Sequence, residues 1–401
     1  MASPADTAPL AGVRVLDVSR YIAGPYCGQL LAYLGAEVIK VEPPGAGDPM
    51  RTLSKYEAGG YSAHFAAGNA SKESVAIDLR SEAGRALFLD LAKQCDVVIE
   101  NFRPGIMEKM GLAPAKLVEA NPRLIVVSVT GFGQNGPWRD WAAYDLIAQA
   151  VGGGLSLTGR PGEKPVKMGV PIGDVGASVF AAISVLAALY RRERTRTGDT
   201  IDISMMDVQL SLLNYHAHYY WISGISPEPE GDGHPNITPY QSYATQTRPF
   251  VVAVYGDRFW APFCRAIERT ELTDDTRFAT NVLRMVHKEE LEAILSAHFL
   301  TKDRTYWLGR LTEEGVPNAP LNSVGEALDN EQARFRNMAH SVRSGTGDTI
   351  QVLGSPMKFS GYDHVPAAPP LCGEHTEQVL KDVLGLDAGE IARLRQEGVV
   401  S

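Results

Sequence analysis

Basic residues are in deficit in this chain of 401 residues: 38 Lys and Arg stand against 47 Asp and Glu, for a formal net charge of −9. Duplex binding needs a surface that neutralises phosphates, so nucleic acid is not an expected partner. An anionic ligand would need a local basic site. Cysteine is scarce too. Cys27, Cys95, Cys264 and Cys372 are widely separated, with no CxxC pair and no His at zinc-ligand spacing, and read as reduced thiols in a cytoplasmic protein. The most continuous apolar stretch, 178–190, falls short of the ~20 residues that span a bilayer. The first ten residues, MASPADTAPL, lack both the apolar core of a signal peptide and the Arg-rich character of a transit peptide. The expectation is a soluble, unprocessed protein with no membrane partner. A hydrophobic content of 44% with 21% charged residues excludes disorder, collagen and coiled coil as global descriptions.

Several catalytic signatures are also missing. The chain has no GxSxG elbow, no HExxH and no GxxxxGK[ST], so hydrolase, zincin and P-loop chemistry find no support. What is present is βαβ patterning. Val13–Val18 predicts a strand, Pro25–Leu34 a helix and Glu37–Val41 a second strand; the alternation continues with a helix at Glu82–Lys93, a strand at Val97–Glu100, a helix at Pro114–Ala120 and a strand at Leu124–Val129. Such alternation implies an α/β fold, a Rossmann-like open parallel sheet. The first turn, SRYIAGPYCG, lacks the glycines that hug a dinucleotide pyrophosphate, which argues against NAD. Pro25 is expected at the first helical position, leaving a helix N-terminus free to meet an anion or a carbonyl oxygen.

Farther on, an apolar helix is predicted from Ala177 to Tyr190, with Arg191, Arg192, Arg194 and Arg196 complementing its C-terminal dipole. The segment 223–239, rich in Pro, Gly and acids, marks a domain boundary or mobile loop, beyond which a smaller α+β domain is expected. Asp174 sits in GVPIGDVGAS, between Gly173 and Gly176 and immediately before the apolar helix. Those glycines allow close backbone approach, and a helix N-terminus favours the ionised acid. By residue type and place alone, Asp174 is an N-cap or a nucleophile.

Taken in order, VRVLDVSRYIAGPYCGQLLAYLGAEVIKVEPPGAGDPMR, ENFRPGIMEKMGL, GFGQNGP, AAYDLIAQAVGG, GDVGAS, TRTGDTIDISMMD and LCGEHTEQVL resemble the class III CoA-transferases, the CaiB/BaiF family, from about residue 10 to the C-terminus. The resemblance implies an acyl-CoA:carboxylate CoA-transferase that takes the coenzyme A thioester as substrate and needs no separate cofactor. Asp174 then stands where the family places its nucleophile, forming an aspartyl anhydride and an aspartyl-CoA thioester. Tyr144 and Asp145 match positions near the reacting carbonyl. The turn Arg20, Tyr21, Ile22 and Ala23 would line the thioester and pantetheine; Ile77 with Arg80, then Asn101, Phe102 and Arg103, and finally Lys109 with Met110 would frame the nucleotide. Pro43 stands where some members carry a basic residue, so one phosphate contact is lost or supplied elsewhere.

The family also implies an interlocked homodimer and a discontinuous large domain. Residues 1–200 would form the first part of the large CoA-binding domain, 201–224 a linker helix, 225–330 the small α+β domain, and 331–401 a linker and return to the large domain. Two alternatives stay open. The α-methylacyl-CoA racemases share the Asp but use a His where Tyr144 stands, and Tyr is a poor base near neutrality. A non-catalytic acyl-CoA-binding subunit is the other, opposed by the intact GDVGAS. For substrates, Ile22 in place of a Gln and the short GDGH (231–234) weaken an oxalate reading, while HPNITPYQSYAT resembles members that use succinyl-CoA with a dicarboxylic or hydroxy-acid acceptor. His234 in that loop reads as a solvated residue or an acceptor contact.

Overall fold

The structure is a computed structural model and describes residues 7–401. Six short runs, most of them rich in Val and Ile, pair into one parallel sheet: β1 (Arg14–Asp17), β2 (Glu37–Glu42), β3 (Glu73–Ala76), β4 (Val97–Glu100), β5 (Ile125–Thr130) and β6 (Asp199–Ser204). Their spatial order is β3-β2-β1-β4-β5-β6, and every neighbouring pair is parallel. Parallel strands need crossover connections, and here helices supply them and cover both faces. The helices that matter for the site are α1 (Ala23–Tyr33), α2 (Glu82–Lys93), α3 (Asp145–Val151) and α4 (Ile172–Thr195).

On one face, Leu31 of α1 and Ala177, Ala181 and Val185 of α4 are buried with Val15, Val97 and Val127 of the sheet. On the other, Phe88 and Leu91 of α2 join Leu16, Ile39 and Val98. Val379, Leu380, Ile391 and Leu394 complete that second layer, so the C-terminal segment packs on the same sheet as the first βαβ unit. Helix α4 is long and apolar enough to cross a membrane, but Ala177, Ala181, Val185, Ala188 and Leu189 are buried in the core.

The chain divides into two compact units. The larger takes residues up to Leu155, Lys167–Ile225 and Glu331–Ser401; the smaller takes Ser156–Val166 and Ser226–Asn330. Residues 156–166, expected from the sequence in the large domain, thus group with the smaller unit. That unit holds a three-stranded antiparallel sheet, Tyr240–Tyr243, Phe250–Ala253 and Asn318–Pro320, over an aromatic core of Phe250, Phe263, Phe299 and Trp307. His234 lies there, its Nδ1 accepting from the amide of Asn236 at 3.1 Å.

Two helix starts differ from the sequence expectation. Helix α1 begins at Ala23, so Pro25 is its third residue rather than its first; it still lies in the first turn, where a missing N–H breaks no helical bond. Helix α4 begins at Ile172, five residues earlier than expected. Gly173 and Gly176 mask that first turn, since glycine disfavours helix by propensity.

Candidate active site at the carboxyl ends of the sheet

Strand order reverses between β1 and β4, and in an open α/β sheet the crevice beyond the carboxyl ends at such a point is where ligands bind. A cavity of about 440 Å³ opens there. Its walls come from four strand ends: Arg20, Tyr21 and Ala23 after β1; Asn101, Phe102 and Arg103 after β4; Thr130 and Gly131 at β5; and Met205 after β6. Tyr144 and Asp174 also line it.

The two turns at the reversal are tied together. Asn101 accepts from the amide of Arg20 through Oδ1 and donates to its carbonyl through Nδ2, both at 2.7 Å. The Arg20 guanidinium stacks over the Phe102 ring at 5.2 Å. Gly24 is required locally, because a Cβ there would fall 2.2 Å from the Cβ of Ser19.

Buried ions fix the same turn from below. Lys72 Nζ pairs with Asp17 at 2.8 Å and donates to the carbonyl of Pro25 at 2.7 Å. Asp17 in turn accepts from the amide and hydroxyl of Ser19. Lys40 pairs with Asp48 at 3.0 Å and donates to the carbonyl of Ser19 at 2.8 Å. All four side chains are at most 1% exposed. Burial would push the Asp17 carboxyl up, but Lys72 and Lys40 hold it below the usual range.

Asp174 is the third residue of α4, and the N-cap is Pro171, which makes no side-chain cap bond. The capping role open to Asp174 from sequence is therefore not the one it plays. Among the described residues no donor and no cation pairs with its half-buried carboxylate. Burial, and secondarily the charge of Asp145, lifts its pKa to about 7, so the expected benefit of the helix N-terminus is outweighed. Asp145 stands beside it by construction: its Oδ1 accepts from the amide of Gly173 at 2.9 Å and its Oδ2 accepts from Gln149 Nε2 at 2.8 Å. Tyr144 precedes α3, and its ring meets that of Tyr21 edge to face with centroids 5.8 Å apart.

Of the residues singled out in the sequence, Arg20, Tyr21, Ala23, Asn101, Phe102, Arg103, Met110, Tyr144 and Asp174 line this one cavity. Ile22, Ile77, Arg80, Lys109 and Asp145 do not. Ile22 packs into the cluster around Tyr33 and Met50, Ile77 is buried just past the end of β3 and bridges Val400, and Lys109 is exposed. The Arg80 side chain is 89% exposed and pairs with Asp78. The cavity adds Arg139 and Trp141, neither of which the sequence motifs single out. Their one sequence signal is position, in GPWRDWAAYD only a few residues before Tyr144. Trp141 stacks on Trp138 with centroids 4.9 Å apart, and Phe132 meets both edge to face. Arg192, by contrast, pairs with Asp96 at 2.8 Å, consistent with a structural helix end. All four cysteines are free, and burial pushes Cys95 up to about 12 and Cys264 and Cys372 up to about 11, which leaves thiolate chemistry without support.

Comparison with known proteins bears on this geometry. The model of CoA-transferase family III matches residues 10–376. The chain is 36% identical over 402 residues to the succinyl-CoA–D-citramalate CoA-transferase of Chloroflexus aurantiacus, covering 100% of both chains. It is 38% identical over 367 residues to the acetyl-CoA:oxalate CoA-transferase of Acetobacter aceti, covering 90% of this chain and 93% of that one. A crystal structure of a CaiB/BaiF family protein from Brucella suis superposes with a TM-score of 0.86 at 36% identity, over 94% of this chain and 99% of the other.

Proposed function

This chain belongs to CoA-transferase family III and is a CoA-transferase, and from that premise we propose that it moves CoA from a succinyl-CoA-like donor to a small di- or hydroxycarboxylate through covalent intermediates on Asp174. The observation that carries the mechanism is an unpaired carboxylate, lifted toward neutrality by burial, in the wall of the cavity at the strand-order reversal. A carboxylate held by an Arg or capping a helix would be a poor nucleophile; one stripped of partners is activated.

Asp174 attacks the thioester carbonyl, an O–C bond forming as the C–S bond breaks, and CoA leaves as thiolate. Thiolate attacks the Asp174 carbonyl of the anhydride, releasing the donor acid and leaving an aspartyl-CoA thioester. The acceptor carboxylate displaces CoA to form a second anhydride, and thiolate then takes the new acyl group and frees Asp174. Asp145 keeps the start of α4 in place through Gly173. The CoA phosphates need a local cationic field in a chain of net charge −9, and Arg20, Arg103 and Arg139 at the cavity supply it. The substrate class rests on the relatives: D-citramalate and oxalate are both dicarboxylates.

A working homodimer fits the exposed apolar residues of the larger unit: Ile183 and Tyr190 of α4, and Tyr220, Trp221 and Ile222 of the helix Tyr215–Ser223, which buries none of its residues. Light scattering reads this directly, a monomer being the adverse result. The function is tested by pairing acyl-CoA donors with carboxylate acceptors and resolving the CoA esters by chromatography. A new ester that appears only when the acceptor is added supports transfer; steady hydrolysis, or α-carbon exchange without an acceptor, refutes it.

A further inference from the structure

Tyr21 occupies a backbone conformation that its residue type disfavours, with φ at +66° in the left-handed region. Such a conformation persists only where the surroundings over-determine it. Here three consecutive residues are pinned. Lys40 holds the carbonyl of Ser19 at 2.8 Å, Asn101 holds both backbone groups of Arg20 at 2.7 Å, and Asp48 Oδ1 accepts the amide of Tyr21 at 3.4 Å. Glycine would take this turn without strain, so what the strained position retains is the phenol.

Tyr21 lines the cavity that contains Asp174, and its ring meets that of Tyr144, on the same wall, edge to face with centroids 5.8 Å apart. Burial, and then Tyr144, raises the Tyr21 hydroxyl above its ordinary value, so it stays protonated and donates. Two phenol donors thus stand on the wall that an acyl group must pass. A hydrocarbon chain pressed there would strip water from both without replacing its hydrogen bonds, whereas a carboxylate accepts from both.

We propose that Tyr21 is a specificity-determining residue which, with Tyr144, donates to an acyl-group oxygen beyond the reacting carbonyl, selecting CoA esters that carry a second carboxylate over esters of plain fatty acids. The inference rests on the CoA-transfer reading and adds to it the residue that reads the acyl chain.

The test is calorimetric titration of succinyl-CoA and butyryl-CoA in an Asp174→Ala background, where transfer is blocked, with and without Tyr21→Phe. The ratio of the butyryl-CoA Kd to the succinyl-CoA Kd should fall about tenfold on loss of the hydroxyl. Tyr144→Phe, which leaves the strained turn untouched, should show the same selective loss. Equal weakening of both esters, or no change in either, overturns the role of Tyr21 and leaves the transfer reading standing. Failure of the protein, with Asp174 or without it, to bind either ester overturns both.

Discussion

The carboxylate of Asp145 accepts the backbone amide of Gly173 at 2.9 Å, which places a second negative charge one residue from Asp174. One contact therefore does two things: it fixes the first turn of α4 and it helps hold the Asp174 carboxyl near neutrality, after the larger effect of burial.

A nucleophilic carboxylate must be ionised, so kcat should rise through about pH 7 and then level off. Asp145→Asn keeps an oxygen to accept from Gly173 but removes the charge, so the acid limb of kcat should move to lower pH. Glu100, raised to about 7 by burial, accepts the amide of Phe102 at 2.9 Å beneath the turn proposed to meet CoA; its titration should appear in KM and stay put in Asp145→Asn. Profiles of kcat and KM between pH 5 and 9 decide the matter, and an unmoved kcat limb would count against the coupling.

The same burial has a stability consequence. An unfolded Asp titrates near 3.9, and the folded group near 7. Between those values the native state holds a proton that the unfolded state has lost, so stability falls as pH rises through that window and the full cost is present above it. Asp174→Asn should accordingly raise Tm at pH 8, with the gain vanishing by about pH 4. Thermal unfolding across that range gives the answer; a constant difference at all pH values would contradict the assignment.

The ions under the first turn are matched in pairs. Lys72→Met leaves the buried Asp17 without its ion-pair partner and should cost ~3–5 kcal/mol in urea denaturation. Lys72→Met combined with Asp17→Leu should cost clearly less than the sum of the single changes. Additive losses would mean that the two residues act separately.

For the nucleotide, Arg103→Ala and Arg139→Ala should each raise KM for the CoA ester by ~3–10-fold with a smaller effect on kcat, as loss of an exposed charge-assisted contact predicts. Arg80→Ala should do less, because its guanidinium is spent on Asp78. Steady-state kinetics at low salt separates these, and a dominant effect of Arg80 would place the phosphates elsewhere.

Much of the sheet and of the site is legible in the amino-acid sequence. Runs such as VVIE and EVIKV, with helical stretches between them, dictate a parallel sheet, and motif order points to Asp174 and Tyr144. The start of α4 is not legible, because Gly173 and Gly176 read as a loop while the helix packs closely at both: a Cβ on Gly173 would come 3.0 Å from Asp145 Oδ1, and one on Gly176 3.1 Å from Val208. Strand β3, ESVA, is four residues with only one β-branched side chain, too weak a pattern to predict a strand. Arg139 and Trp141 lie on a loop without periodicity, and only the folding of that loop over the strand ends brings them to the cavity. By charge alone Arg80 reads as a phosphate ligand; its neighbour Asp78, two residues away, is equally visible and claims it.

The central claim is that Asp174 carries the acyl group. Incubation with succinyl-CoA followed by hydroxylamine, digestion and mass spectrometry should find a single hydroxamate at Asp174, absent from Asp174→Ala, which should also lose transferase activity. A hydroxamate on any other residue, or full activity in Asp174→Ala, would contradict the account.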